Sequence, residues 1–226
     1  MTARPVLAAA LAAVLACGCT TEAPDYQSVW STPSSAPAPE PESTATQAAQ
    51  VPLSQFLEEI GVVGQPVAPD KLADLTVSMP TPAGWEPYRD ASLAPGTRMI
   101  AKGDTYPTAM LMVFELDGEF DAATALRHAD VDAEMSENFR RLGSSDDDFN
   151  GFPSSVIEGS YDLAGSRMHT YNRVVIATGA PPQRQRYLVQ FTVTGYADKA
   201  AEEAPDIEAI INGFTVEVPG GATAPR

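Results

Sequence analysis

The sequence predicts an α+β fold: a mainly antiparallel sheet with helices covering its faces. Three observations carry this. The last third of the chain holds three strand-like runs, Ser154 to Tyr161, Met168 to Ala177 and Gln185 to Thr194. They are separated by Asp162-Leu163-Ala164-Gly165 and Thr178-Gly179-Ala180-Pro181-Pro182, stretches rich in turn formers that join neighbours antiparallel. The run Ala109 to Leu116 is apolar on both alternating faces, the pattern of a central strand covered on both sides. Helical spacing of apolar residues recurs elsewhere in the domain, supplying the cover that such a sheet needs.

In chain order, the folded part begins near Val51. Leu53, Phe56, Leu57 and Ile60 fall at helical spacing, and Gly61 stops that helix. Leu75 to Met79 alternates as a strand and ends at Pro80-Thr81-Pro82. Trp85 follows as a core or rim aromatic. Arg98 to Lys102 is the next strand, linked to the central one by the turn-rich Gly103-Asp104-Thr105-Tyr106-Pro107. A long helix is expected from about Asp121, its cap, to Phe139, with Ala125, Leu126, Ala129, Met135 and Phe139 as its apolar stripe. Ala200 to Ile211 is the final helix, with Ile207, Ile210 and Ile211 facing inward, and Phe214-Thr215-Val216 closes the domain. Trp85, Phe114 and Phe191 are expected in the core.

The N-terminus has a different character. Arg4 precedes an apolar run from Val6 to Ala16, the layout of an export signal and too short for a permanent bilayer span. The junction Val14-Leu15-Ala16-Cys17-Gly18-Cys19 resembles the lipobox of bacterial lipoproteins. In that class a diacylglyceryl group is placed on the cysteine thiol and the chain is cut just before it. Cys17 has the aliphatic residue three places back, and Cys19 has glycine directly before it, so lipidation is expected at Cys17 with Cys19 as the alternative. From Thr20 to about Gln50 the chain is mostly Pro, Ser, Thr and Ala, with little to bury, and reads as an extended disordered spacer. The expected layout is a signal peptide over 1–16, a lipid-anchored tether over 17–50, one globular domain over 51–218 and a frayed tail over 219–226. Localisation is then the outer face of the cytoplasmic membrane, in the cell envelope.

Charge narrows the partners. With 14 basic and 30 acidic residues the net charge is −16, which argues against nucleic acid and against electrostatic docking on anionic lipid. The three adjacent carboxylates Asp146-Asp147-Asp148 lack the alternating ligands of a calcium loop and read as a solvated loop, so no metal and no cofactor is expected.

Several stretches resemble the LpqN/LpqT family of mycobacterial and related actinobacterial lipoproteins. They are the lipobox and tether, Pro52-Leu53-Ser54-Gln55-Phe56-Leu57, Val77 to Trp85, Tyr106 to Leu111, Phe149 to Ser155, Tyr187 to Gln190 and Asp206 to Ile211. The resemblance covers nearly the whole chain. It implies a Mog/PsbP-like α/β/α sandwich and brings no catalytic residue with it. Fold likeness does not transfer the functions of Mog or PsbP proteins.

No catalytic residue is assigned from the residues either. The two histidines, His128 and His169, cannot be paired with Ser154 or Ser155 from sequence, and no nucleophile elbow, zinc motif or phosphate loop is present. Non-enzymatic binding is expected, of an envelope protein, lipid or glycolipid. The alternatives are a surface-exposed or shed protein that meets a host macromolecule, and a hydrolase with an unrecognised site. Alternation places Arg167, His169, Tyr171 and Arg173 on one strand face, a candidate binding set. If the Thr178 to Pro182 turn pairs its strands closely, Arg173 approaches Arg184 and Arg186 at a sheet edge, where planar guanidinium groups could engage an anion or sugar.

Overall fold

The computed structural model describes residues 51–220. The expected signal peptide and tether, with Cys17 and Cys19, and the end of the expected tail lie outside the described residues. No described helix is long and apolar enough to cross a membrane.

The strands are β1 (Val63–Val67), β2 (Thr76–Ser78), β3 (Glu86–Tyr88), β4 (Arg98–Ala101), β5 (Thr108–Asp117), β6 (Arg140–Ser145), β7 (Ser154–Leu163), β8 (Ser166–Thr178), β9 (Arg186–Tyr196) and β10 (Thr215–Glu217). The helices are α1 (Leu53–Glu59), α2 (Ala122–Leu126), α3 (Val131–Glu134) and α4 (Ala200–Gly213). The main sheet is antiparallel at every pairing and runs β3-β4-β5-β9-β8-β7-β6. β5 is long enough to hold two partners on one side: β4 along its first half and β1 along its second. β2 and β10 form a separate small antiparallel pair.

Because strand side chains alternate, each face of the sheet builds its own core. On one face Ile100, Leu111, Val113, Val175, Val189, Phe191 and Val193 pack with Ile210 of α4, Phe214 and the β2–β10 pair. On the other, Met99, Met112, Phe114, Leu116, Val174, Ile176 and Leu188 pack with Leu53 and Leu57 of α1 and with Ala125 and Leu126 of α2. We call these the α4 face and the α1 face. The central strand is therefore covered on both sides, as its composition requires. Trp85, Phe114 and Phe191 are all buried, and the Trp85 indole N–H also donates to Asp206 Oδ2 at 3.2 Å.

The sequence expectation differs from the structure in three places. The helix expected over 121–139 is two short ones. Asp121 does cap the first, accepting from Thr124 N at 2.7 Å. Tight i→i+3 bonds at His128 and Ala129 then turn the chain. Tertiary contacts hold that turn: His128 Nδ1 lies 2.8 Å from the Val51 carbonyl, and its ring stacks on Phe56 at 4.2 Å. Met135, placed in the apolar stripe, is 71% exposed. Asn138 takes φ +52 and ends the helical region, sending Phe139 across Gly159, where any Cβ would collide with the ring.

Second, β1, β3 and β6 were not expected as strands. β1 carries Gly64 and Pro66 and is mostly exposed, so it shows no alternation, and Pro66 is tolerated because β1 is an edge strand. β6 is likewise largely exposed and bulged beside Leu142. Third, Ile60 falls just past the end of α1 and is 43% exposed rather than packed.

Candidate functional site

The α1 face is not fully closed. Beyond the contact with α1 and α2, three rows of cross-strand neighbours form the floor of a cleft. The first row is Met112, Gln190 and Val174. The second is Met110, Thr192 and Asn172. The third is Thr194 and Thr170. Ala129, Asp132, Ala133 and Ser136 overhang this floor from α3 and its flanks, and Tyr161 lines it from β7. The cleft is open on one side and has a volume of about 290 Å³.

Most of the polar floor is internally satisfied. Thr192 Oγ1 donates to Asn172 Oδ1 at 2.9 Å, Asn172 Nδ2 donates to Thr170 Oγ1 at 3.2 Å, and the hydroxyls of Thr170 and Thr194 lie 3.3 Å apart. Gln190 is different. Its register neighbours on either side, Met112 and Val174, are apolar, and its Oε1 is buried with no hydrogen-bond partner. A buried acceptor left unpaired is uncommon, because it forfeits its bonds to water.

Asp132 stands over the cleft at its solvent side. Its residue surface is largely open, yet the mass around the carboxyl pushes its pKa up, and desolvation is the sole cause. Tyr161 is pushed up to about 12, mainly by burial and further by Tyr106, against a smaller lowering by a bond with Thr194.

The residues singled out from sequence lie elsewhere. Arg167, His169, Tyr171 and Arg173 do share one face of β8, but it is the α4 face. There Arg167 bonds Asp162 Oδ1 and the Asn138 carbonyl at 2.9 Å each and Ser160 Oγ at 2.7 Å. His169 Nε2 lies 2.9 Å from Glu158 Oε1. The Arg173 guanidinium donates to the Tyr171 hydroxyl and Ser154 Oγ and stacks 4.3 Å from the Phe149 centroid. Arg173 lines the cleft only from its place in β8, with its guanidinium engaged on the opposite face.

The expected approach of Arg173 to Arg184 and Arg186 does not occur. Arg173 is opposite Phe191, whereas Arg186 is opposite Thr178, five positions further along β8. That is about 17 Å at strand spacing. Arg186 lies over the Phe120 ring at 3.7 Å, and Arg184 is exposed in the connecting turn with φ +51.

Gln190, Asp132 and Tyr161 were missed by sequence reasoning. One signal was present: Thr170 and Asn172, then Gln190, Thr192 and Thr194, put polar residues at alternate positions of two central strands. A polar row inside a sheet buried on both sides marks a place where the cover is incomplete.

Layering and cleft together define an α+β sandwich with a partly polar recess under its helical cover. The chain belongs to the LpqN family of lipoproteins: the family model described as "Probable lipoprotein LpqN" matches residues 49–217. LpqT of Mycobacterium tuberculosis is 55% identical over 210 residues, covering 93% of this chain and 91% of that protein. The crystal structure of LpqN, involved in cell envelope biogenesis of Mycobacterium tuberculosis, aligns with a TM-score of 0.62 at 19% identity. That alignment covers 75% of this chain and 99% of LpqN. Cyanobacterial PsbP from Synechocystis aligns with a TM-score of 0.42 at 12% identity, over 65% of this chain and 94% of that one.

Proposed function

We propose that this chain is a lipid-anchored lipoprotein of the cell envelope whose domain binds an envelope component in the cleft of the α1 face, without catalysis. The observation that carries this is the cleft itself: a recess of about 290 Å³ with methionine and aliphatic walls and an unpaired acceptor on its floor. Ligand sites are concave, mainly apolar and furnished with a few placed polar groups, and this volume sits at the small end of their range. The envelope context is supported by family membership and by the role of LpqN, and the anchor by the lipobox-like junction at Cys17.

Binding rather than turnover is supported by the partners of the candidate nucleophiles and bases. His128 is engaged by Val51 and Phe56, and His169 by Glu158. Ser155 Oγ lies 3.2 Å from Asp130 Oδ1 and 3.0 Å from Asp146 Oδ1, sharing its one proton between two carboxylates, and Ser154 Oγ donates to the Asp147 carbonyl. Neither serine is set against a histidine, the arrangement that nucleophilic activation requires.

The test is capture from intact cells with the native anchor, followed by mass spectrometry of bound lipids, glycolipids and proteins. Ala133→Trp, which fills the cleft from α3, is the matched control. A component retained by the wild type and lost in this variant, with circular dichroism unchanged, is the expected result. Identical captures from both proteins would overturn the reading.

A further inference from the structure

We propose that the cleft selects a small amphipathic ligand carrying a primary ammonium next to a short apolar chain. The proposal rests on the cleft being the binding site, as argued above, and adds the chemistry that the site reads.

The lining divides cleanly by role. Met110, Met112, Ala129, Ala133 and Val174 supply apolar wall, and methionine adapts to irregular chains. Against this wall stand two acceptors, Gln190 Oε1 and the Asp132 carboxylate. Gln190 Oε1 is buried without a partner, so an occupant that donates there recovers a bond the empty site lacks. Among the described residues, no basic side chain forms an ion pair with the Asp132 carboxylate. Its acidic neighbours behave otherwise, since Asp130 and Glu134 both pair with Arg141, at 3.1 and 2.5 Å. Tyr161 adds an aromatic ring, a surface that attracts cations.

The same lining disfavours anions. Among the described residues, Arg173 is the one basic residue on the cleft lining, and it directs its guanidinium to Ser154, Tyr171 and Phe149 on the other face. A net charge of −16 also raises the local concentration of cations and lowers that of anions. A purely apolar occupant leaves Gln190 unpaired, and an alcohol satisfies Gln190 but leaves Asp132 uncompensated. An ammonium carries both the donor that Gln190 lacks and the charge opposite to Asp132, and both residues line the cleft.

The experiment uses the mature lipidated chain in phosphatidylcholine nanodiscs, with ¹³C-methyl methionine as the reporter at Met110 and Met112. The probes are hexylammonium, hexan-1-ol and hexanoate, which share a chain and differ in headgroup. Hexylammonium is expected to shift both methyl resonances and to bind about tenfold more tightly than hexanol, with hexanoate weaker than either. Asp132→Asn should remove the preference for ammonium over alcohol while keeping alcohol binding, and Gln190→Leu should weaken both. Hexanoate binding as tightly as hexylammonium, or a preference that survives in Asp132→Asn, overturns the proposal. An envelope lipid extract that shifts the same methyls when the amine has no advantage defeats this inference alone. If neither the probes nor the extract shifts them, the cleft is not the binding site and both readings fail.

Discussion

The hydroxyl of Tyr187 donates a 2.6 Å hydrogen bond to Oδ1 of Asp74 inside the core of the α4 face. Asp74 is buried, and its other oxygen accepts from Gln185 N at 3.2 Å while its carbonyl accepts from Ala180 N at 2.7 Å. One carboxylate thus fastens the β8–β9 connection to the chain before β2. Burial, reinforced by Asp74, pushes the Tyr187 phenol above its ordinary range. Tyr187→Phe leaves a buried acceptor short of a partner and is expected to cost about 1–3 kcal/mol in urea unfolding. Gly179→Ala should cost more, because the Asp74 carboxylate occupies the space a Cβ would need. Equal stability of wild type and Tyr187→Phe would mean that Asp74 is held by backbone donors alone.

Phe114 sits near the middle of β5 and is 3% exposed, packed among Leu53, Leu57 and Leu188 and their neighbours. Truncation to Ala is expected to cost about 3–5 kcal/mol, the range for a large aromatic lost from a close-packed site. A urea midpoint shift worth less than about 1 kcal/mol would show that the core collapses around the gap.

Glu203 gives a pH dependence with a definite sign. Its Oε2 is buried without a partner, and desolvation raises its pKa, with Glu202 adding to the rise. A carboxyl whose folded pKa exceeds its unfolded value contributes stability that is complete below the unfolded value and is lost as pH rises through the folded one. Glu203→Gln should therefore match the wild type in melting temperature near pH 4 and exceed it near pH 7. Asp206, one turn on, has the opposite sign: the 2.6 Å bond from Lys102, then that from Trp85, lowers its pKa. Its contribution is present above the unfolded pKa and is lost as pH falls through the folded one.

The anchor is tested by replacing Cys17 and Cys19 together with Ala. Lipidation is expected to fail, leaving precursor or soluble protein. Mass spectrometry of the wild-type N-terminus should find a diacyl or triacyl cysteine, whose several chains hold a membrane more firmly than one myristoyl group. A mature terminus beyond Thr20 with no acyl mass would remove the anchor from the proposed function.

The sequence by itself determined the strand order of the last third, the doubly covered β5, the capping role of Asp121, the inward face of α4 and the burial of Trp85, Phe114 and Phe191. These depend on periodicity, turn chemistry and local hydrogen bonding, which act over a few residues. Tertiary structure decided the rest. The break between α2 and α3 contains no Gly or Pro; it is held by Val51 and Phe56, more than seventy residues from His128 in the chain. β1 is a strand because β5 offers it an open edge, not because its own residues alternate. The arginines that look neighbourly in sequence are separated by register and by the thickness of the sheet. The cleft joins Gln190 of β9, Asp132 of α3 and Tyr161 of β7, distant positions that long-range strand pairing and the seating of α3 over the sheet bring onto one lining.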